Sequence, residues 1–366
     1  MVQTKDIINV LETIAPPRLQ ESYDNSGWVL GNPEQICTGV LTALDLTPAV
    51  IEEAVAKNIN LIVVHHPPIF KGLKQLIPTN PVARMLTSAI KADLCIYAIH
   101  TNLDNVLWGV NGEIANRIGL QKTKVLAPLA DTHQKLVTFV PIKHAEQVRK
   151  SLFDAGAGAI GNYDECSFNV AGTGTFRAKK NANPFVGALE QQHHEPEERI
   201  EVIFPTHLQN TILSALFSSH PYETVAYDLY PLENKFEQFG AGALGSLAVP
   251  MEEKELLSLL KKTFNTGIIR HSSFTGKMIQ NVALCGGSGK SLIFNALRSK
   301  ADVYITADLT YHDFFEPDGQ LLLADIGHFE SEQYTSDLLE RAIKEKFPTF
   351  AVLKTGRNTN PVNYFL

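Results

Sequence analysis

Short, wholly apolar runs alternate with amphipathic stretches over the first third of the chain. TGVLTALDLT, INLIVV and DLCIYAI each read as a buried strand, and between them AVIEEAVAK and NPVARMLTSAIKA place apolar residues at helical spacing. Strand alternating with helix argues for a mainly parallel sheet covered by helices. The pattern returns near the C-terminus, where NVALC, helical SLIFNALRSK, DVYIT, QLLLAD and helical SEQYTSDLLERAIKEKF follow in order. The two ends of the chain are therefore predicted to build one α/β core. The opening MVQTKDIINVLETIAPP reads as an amphipathic helix with Thr4 as N-cap, Ile7, Ile8, Leu11 and Ile14 on one face, and Pro16 and Pro17 as its stop.

The middle follows another plan. KLVTFVPIKHAEQVRKSLFDAGA and RIEVIFPTHLQNTILSALFSSHP both run from an apolar strand through a proline, Pro141 or Pro205, to a histidine and an amphipathic helix. A further strand follows each, YDECSFNVAG and TVAYDLYPL, which gives a weak internal repeat in the order βαββαβ, the split ferredoxin-like arrangement. The predicted fold class is α/β, with a discontinuous core of residues 1–126 and 236–366 and an inserted ferredoxin-like α+β domain at 127–235.

At 366 residues the chain exceeds what one hydrophobic core usually serves, which agrees with that division. A hydrophobic fraction of 44% with 19% charged residues excludes a disordered or fibrous chain, and a net charge of -7 without a Lys/Arg stripe gives no footprint for nucleic acid. Cys37, Cys95, Cys166 and Cys285 are far apart and form no C-x-x-C pair, so they read as buried apolar residues in a reduced, cytoplasmic setting. The N-terminal helix is no signal peptide, and no apolar run reaches the roughly 18 residues of a membrane span.

Ligands of open α/β sheets bind outside the carboxyl ends of the strands, so the residues just past each core strand are where chemistry is sought. LIVV runs into His65 and His66, LCIYAI into His100 and then Asp104, VYIT into Asp308 and His312, and LLLAD into His328 and Glu332. Neighbouring side chains of an extended strand point to opposite faces, so His65 and His66 suit two ions better than one, and Pro67 keeps His66 extended. His328 and Glu332 are i and i+4 and share a face if a helix begins near Gly327. The imidazoles of His65, His66 and His328 with the carboxylates of Asp104 and Glu332 suffice for a pair of divalent ions with positions left open for water. This mixed nitrogen and oxygen set suits zinc, iron or manganese alike. His100, Asp308 and His312 read as proton-transfer groups or as partners that orient the ligands.

Other motifs carry less. CGGSGKS, residues 285–291, has Leu284 where a phosphate-binding loop needs its first Gly, and reads as a tight strand-to-helix turn. GAGALG, residues 240–245, is followed by SLAVP, whose proline sits where the helix of a dinucleotide-binding fingerprint should run. His193 and His194, in QQHHEPEER, read as a solvated loop. HPYE, His220 to Glu223, is ambiguous.

VVHHPPIF, IHTNLD and GHFESE together resemble the Nif-three-like dinuclear metal centre family, also catalogued as GTP cyclohydrolase I type 2 homologues. SYDNSGWVLG, TADLTYHD, GTGTFRAKKNANPFVG and HPYETVAYDLYPL extend the resemblance over nearly the whole chain, with Ser26 and Trp28 standing where the family is often more aliphatic. The resemblance implies that His65, His66, Asp104, His328 and Glu332 ligate two divalent metal ions, with Glu332 as the bridge. It also implies a toroidal homohexamer, a PII-like or CutA-like middle domain, and hydrolysis of a small molecule such as a nucleotide, GTP being the one the family label suggests. A different class stays open beside this: a metal-dependent regulatory or binding hexamer whose middle domain senses a ligand. An open coordination position favours the hydrolase, since a structural site is closed.

Overall fold

Val40–Ala43, Leu61–Val64 and Cys95–Ala98 are buried at every position, and a strand without a polar face must be covered on both sides. The computed structural model, which describes residues 1–365, shows what covers them. Among the described residues they lie in a sheet of order Gly27–Leu30, Cys95–Ala98, Leu61–Val64, Val40–Ala43, Val352–Lys354, parallel except for the first strand. Leu41, Ala43, Ile62, Val64, Ile96 and Ala98 pack on one face against the helices Pro48–Ala56 and Pro81–Lys91. Val40, Leu61, Val63, Cys95 and Tyr97 face the other way, into a core shared with helices Thr4–Ile14, Val110–Arg117 and Thr335–Lys346.

A second sheet closes that shared core. Its order among the described residues is Arg270–His271, Leu322–Asp325, Val303–Ala307, Met278–Ser288, Gly240–Glu252, Gln121–Pro128. The strands at 278–288, 303–307 and 322–325 are parallel, and the rest are antiparallel to their neighbours. Val282, Leu284, Val303, Ile305, Leu322 and Ala324 face the shared core, whereas Ala283, Tyr304 and Leu323 meet the helix Ile293–Arg298. A buried Leu or Ile of this kind carries about 2–5 kcal/mol against truncation to Ala, so the shared core fixes the two sheets against each other.

The two ends of the chain thus share one core, as the alternation predicts, but through two mixed sheets rather than a single parallel one. The strand Gln121–Pro128 is exposed over its first half and rich in Lys and Gln, which leaves little strand signal to read. The first helix also differs at its cap. Gln3 is the N-cap, its backbone N–H donating to Asp6 at 2.7 Å, while Thr4 is buried and its hydroxyl donates to the Asn32 and Pro33 carbonyls. Long-range carbonyls recruit the threonine that local capping would have used.

Residues 129–236 form a second compact unit, apart from 1–128 and 237 onward. Among the described residues its antiparallel sheet has the order Ser167–Arg177, Gln192–Pro205, His133–Pro141, Tyr227–Pro231. Helices Ala145–Asp154 and Gln209–Ser219 bury Val148, Leu152, Ile212 and Leu216 against Leu136, Val140, Ile200, Val202 and Phe204, which is the ferredoxin-like arrangement. His193 and His194 do not lie in a loop. They stand near the start of the strand Gln192–Pro205, paired with Phe176 and Thr175, because the facing strand supplies the hydrogen-bonding ladder that burial does not. No helix among the described residues is long and apolar enough to cross a membrane.

Pro128 pairs with Gly240 and Ala127 with Ala241, so the points where the chain leaves and re-enters the larger unit are adjacent antiparallel partners. Replacing residues 129–236 by a hairpin loop of about four residues should therefore leave the larger unit folded. A cooperative thermal transition with native-like circular dichroism is the expected result; an aggregated chain without a transition would refute it.

Candidate metal centre

The carboxyl ends of both sets of parallel strands deliver polar residues to one place. Leu61–Val64 leads straight into His65 and His66, and Cys95–Ala98 leads to His100 and the short helix Thr101–Asp104. Leu322–Asp325 turns through Gly327, at φ 93°, into the short helix His328–Glu332. Glu332 is the hub. Its Oε2 lies 3.1 Å from His328 Nε2 and 3.0 Å from His66 Nε2, and its Oε1 lies 3.9 Å from His65 Nε2. His65 Nε2 is in turn 3.6 Å from Asp104 Oδ1. One atom each from His66, His328 and Glu332 falls within a 4.8 Å span, and so does one each from His65, Asp104 and Glu332.

The far nitrogen of each imidazole is held by an acceptor. His65 Nδ1 is 2.7 Å from the Ile99 carbonyl, His66 Nδ1 2.7 Å from Asp45 Oδ1, and His328 Nδ1 2.7 Å from Asp308 Oδ2. Each Nδ1 is thereby the donor, which turns Nε2 toward the carboxylates. Asp308 takes a left-handed backbone, φ 56°, to reach His328, a conformation uncommon for a non-glycine residue.

Charge in the cluster is uneven. Burial pushes the His65 imidazole down to about 3, so it is neutral. Burial also works against a charged His66 and His328, but hydrogen bonds to Asp45 and Glu332 raise the first to about 9, and bonds to Asp308 and Glu332 raise the second to about 11. Burial would raise Glu332 too; the bonds from His328 and His66 outweigh it and hold this carboxyl well below its ordinary value. Asp104, half-buried beside Glu332, is pushed well above the usual carboxylate range by desolvation and by that neighbouring charge.

Two side-chain atoms here, His65 Nε2 and Asp104 Oδ1, are buried and find no hydrogen-bond partner among the described residues. Buried polar atoms are nearly always satisfied, and a pair of converging lone pairs is what a cation satisfies. The cluster is thus able to hold a metal ion.

His100 joins the cluster at its edge. Its ring centroid is 5.2 Å from that of His65 and 5.4 Å from that of His66, and its Nδ1 is 2.8 Å from Asp24 Oδ1. Asp24 also accepts from the Ser26 hydroxyl at 2.7 Å, and Trp28 packs edge-on against Tyr97 at 5.5 Å, so Ser26 is tied to the His100 support while Trp28 stiffens the strand beneath. His312 is not brought in: it is exposed, with its ring against Tyr311 and Phe315.

Three contributors escape the strand-end reading. Asp24 lies in SYDNSGWVLG and Asp45 in the run TGVLTALDLT, but nothing local to either marks it as the partner of an imidazole. Gly287 has φ 60°, and a side chain there would collide with Glu332 Oε1; the first four residues of CGGSGKS thus end the strand Met278–Ser288, and the turn begins only at Gly289. The Gly287 N–H donates to Ser331 Oγ at 2.9 Å, so the end of the strand Met278–Ser288 makes room for the hub and steadies the helix that carries it.

A Duf34/NIF3 (NGG1p interacting factor 3) family model matches residues 2–361. A Halalkalibacterium halodurans protein named GTP cyclohydrolase 1 type 2 homolog is 39% identical over 364 residues, covering 98% of each chain. The Bacillus subtilis protein of the same name is 35% identical over 371 residues, covering 99% of each. A crystal structure of a Bacillus cereus protein related to NIF3 superposes with a TM-score of 0.87 at 36% identity, covering 100% of this chain and 99% of that one. A match that runs from the first helix past His328 and Glu332 takes in both halves of the core and the unit between them, and the chain belongs to the Duf34/NIF3 family.

Proposed function

We propose that this chain is a dinuclear metal-dependent hydrolase acting on a nucleotide or a similar small molecule. The observation that supports it most is the division of the two Glu332 oxygens, one facing His65 and the other facing His66 and His328. In this reading His65, Asp104 and Glu332 hold one divalent ion, and His66, His328 and Glu332 hold the other. Two such ions supply Lewis acidity toward an electrophile and make water acidic enough to attack at neutral pH.

The protein's own groups do the rest. His100, fixed at Nδ1 by Asp24, has a nitrogen within 4.8 Å of donor nitrogens on His65 and His66 and is placed to carry a proton. A cavity of about 530 Å³ adjoins His66, His328 and Asp308; Ile268 and Phe329 give it apolar walls, and Arg270, paired with Asp325, lines it as well. The names of the relatives make GTP the first substrate to try. The same reading takes the working form to be a toroidal homohexamer, on the strength of the family resemblance.

Wild-type protein loaded with manganese, zinc or iron should hold about two ions per chain and hydrolyse GTP or another nucleotide. Glu332→Ala should lose both ions and all turnover, because it serves both sets. Elemental analysis with a nucleotide panel reads this, and full metal content in Glu332→Ala would sink the proposal.

Removing the supports of the imidazoles should act more gently. Asp45→Ala and Asp308→Ala should each weaken metal affinity about 10–100-fold without unfolding the chain. Competition with a chelator measures it; unchanged affinity in both would show that the aspartates do not orient the rings.

Metal loading should release protons. His66 and His328, raised to about 9 and about 11 in the metal-free chain, carry protons at pH 7 that an ion must displace, while His65, lowered to about 3, does not. The sign follows: affinity falls as pH falls from about 9 toward 6, because the protonated form gains on the ion. Titration calorimetry in buffers of different ionisation enthalpy tests it, and heats that are independent of the buffer would contradict it.

A further inference from the structure

The unit at 129–236 contains a cavity of about 900 Å³ that the chemistry of the metal cluster does not use, lined wholly by residues from its own strands and loops. At its floor Glu197 is only 7% exposed. One carboxylate oxygen accepts the Tyr222 hydroxyl at 2.7 Å, and the other lies against Gly174, where any side chain would collide with it. A glycine in the strand Ser167–Arg177 therefore leaves room for a buried acid. The rings of Phe176 and Phe185 stand 6.0 Å and 6.3 Å from that of Tyr222 and form an aromatic wall. The Asn183 N–H donates to Glu223 at 3.0 Å, which ties the loop carrying Phe185 to the HPYE segment carrying Tyr222. Arg177, Lys179 and Arg199 also line the cavity; Arg199 pairs with Glu201 at 2.9 Å, while Arg177 and Lys179 make no ion pair among the described residues.

We infer that this cavity is a guanine-nucleotide site, with Glu197 reading the base, the aromatic wall stacking on it, and Arg177 and Lys179 holding phosphate. An ionised carboxylate only accepts hydrogen bonds, and its two oxygens retain free lone pairs after the Tyr222 bond is made. The ligand must present adjacent N–H donors. Guanine does so with N1–H and its exocyclic amino group, whereas adenine sets an acceptor beside its amino group and would face the carboxylate lone pair to lone pair. A guanidinium or ammonium ligand would also satisfy Glu197, but the neighbouring Arg and Lys side chains repel a cation and attract an anion. A neutral base on an anionic tail meets both demands, and its π-face suits the rings. The site draws nothing from the metal ligands, and this inference stands apart from the hydrolase reading.

The test is equilibrium binding of GMP, IMP, AMP and free arginine to the full chain carrying Glu332→Ala and kept in EDTA, so that a failed metal centre cannot change the result. GMP should bind at least about tenfold more tightly than AMP, IMP should fall between them, and arginine should not compete. Glu197→Gln should abolish the preference for GMP over AMP. Arg177→Ala with Lys179→Ala should weaken every nucleotide and flatten the salt dependence. If Glu197→Gln does not fold, Tyr222→Phe, which removes one hydroxyl, decides: GMP affinity should drop several-fold. Equal binding of GMP and AMP, no GMP binding at millimolar concentration, displacement by arginine, or GMP affinity unchanged in the folded Glu197 or Tyr222 variant would overturn the inference.

Discussion

A carboxylate buried beneath converging imidazoles is the constraint on which the larger unit depends. Glu332 is 4% exposed, and a charge taken that far from water is tolerated only when partners meet it from several sides. His328 comes from the same short helix, but His65 and His66 come from the end of one sheet's strand, far away in sequence, and the end of a strand of the other sheet leaves room at Gly287. They meet only because the core shared by the two sheets sets where the strand ends fall. Packing and polar satisfaction are therefore one requirement. A shift of either sheet would leave Glu332 unpaired, which is why so much apolar surface is spent on holding strands whose ends are polar.

Around the hub the polarity is layered. Nε2 atoms face inward, Nδ1 atoms face an acceptor, and those acceptors are themselves fixed: Asp45 accepts from Thr359 at 2.8 Å, and Asp24 from Ser26 at 2.7 Å. In a low-dielectric setting such chains of bonds specify one rotamer and one tautomer, and a partly satisfied chain is costly. The two unpartnered atoms, His65 Nε2 and Asp104 Oδ1, are the exception within an otherwise closed network. Two unpaired atoms that converge within one bonded network mark a place where something other than stability has been selected.

Much of this was legible in the residues because strand ends are conspicuous when an apolar run stops on His or Asp. LIVV before His65 and LLLAD before His328 announce their positions, and the i, i+4 relation of His328 and Glu332 holds wherever a helix forms. What could not be read depends on partners far away in sequence. Asp45 and Asp24 become meaningful only when His66 and His100 arrive beside them, and Gly287 only when Glu332 needs the space its side chain would fill. The division into two sheets was hidden for the same reason: Gln121–Pro128 is a strand through its pairing with Gly240–Glu252, not through its own hydrophobicity. Local capping misled at Thr4, and a polar strand passed for a loop at His193.

The place of the last strand has a consequence for how the molecule comes into being. Val352–Lys354 pairs with Val40–Ala43, and Glu332 must reach residues near the start of the chain. A ribosome adding residues one at a time completes the ferredoxin-like unit, whose contacts are local to 129–236, well before it releases the partners of the first sheet. The strand Val40–Ala43 must wait, with one edge unpaired, until residues 352–354 have been made. The hub can close only once Glu332 has been made, so a product cut short of it cannot assemble the cluster.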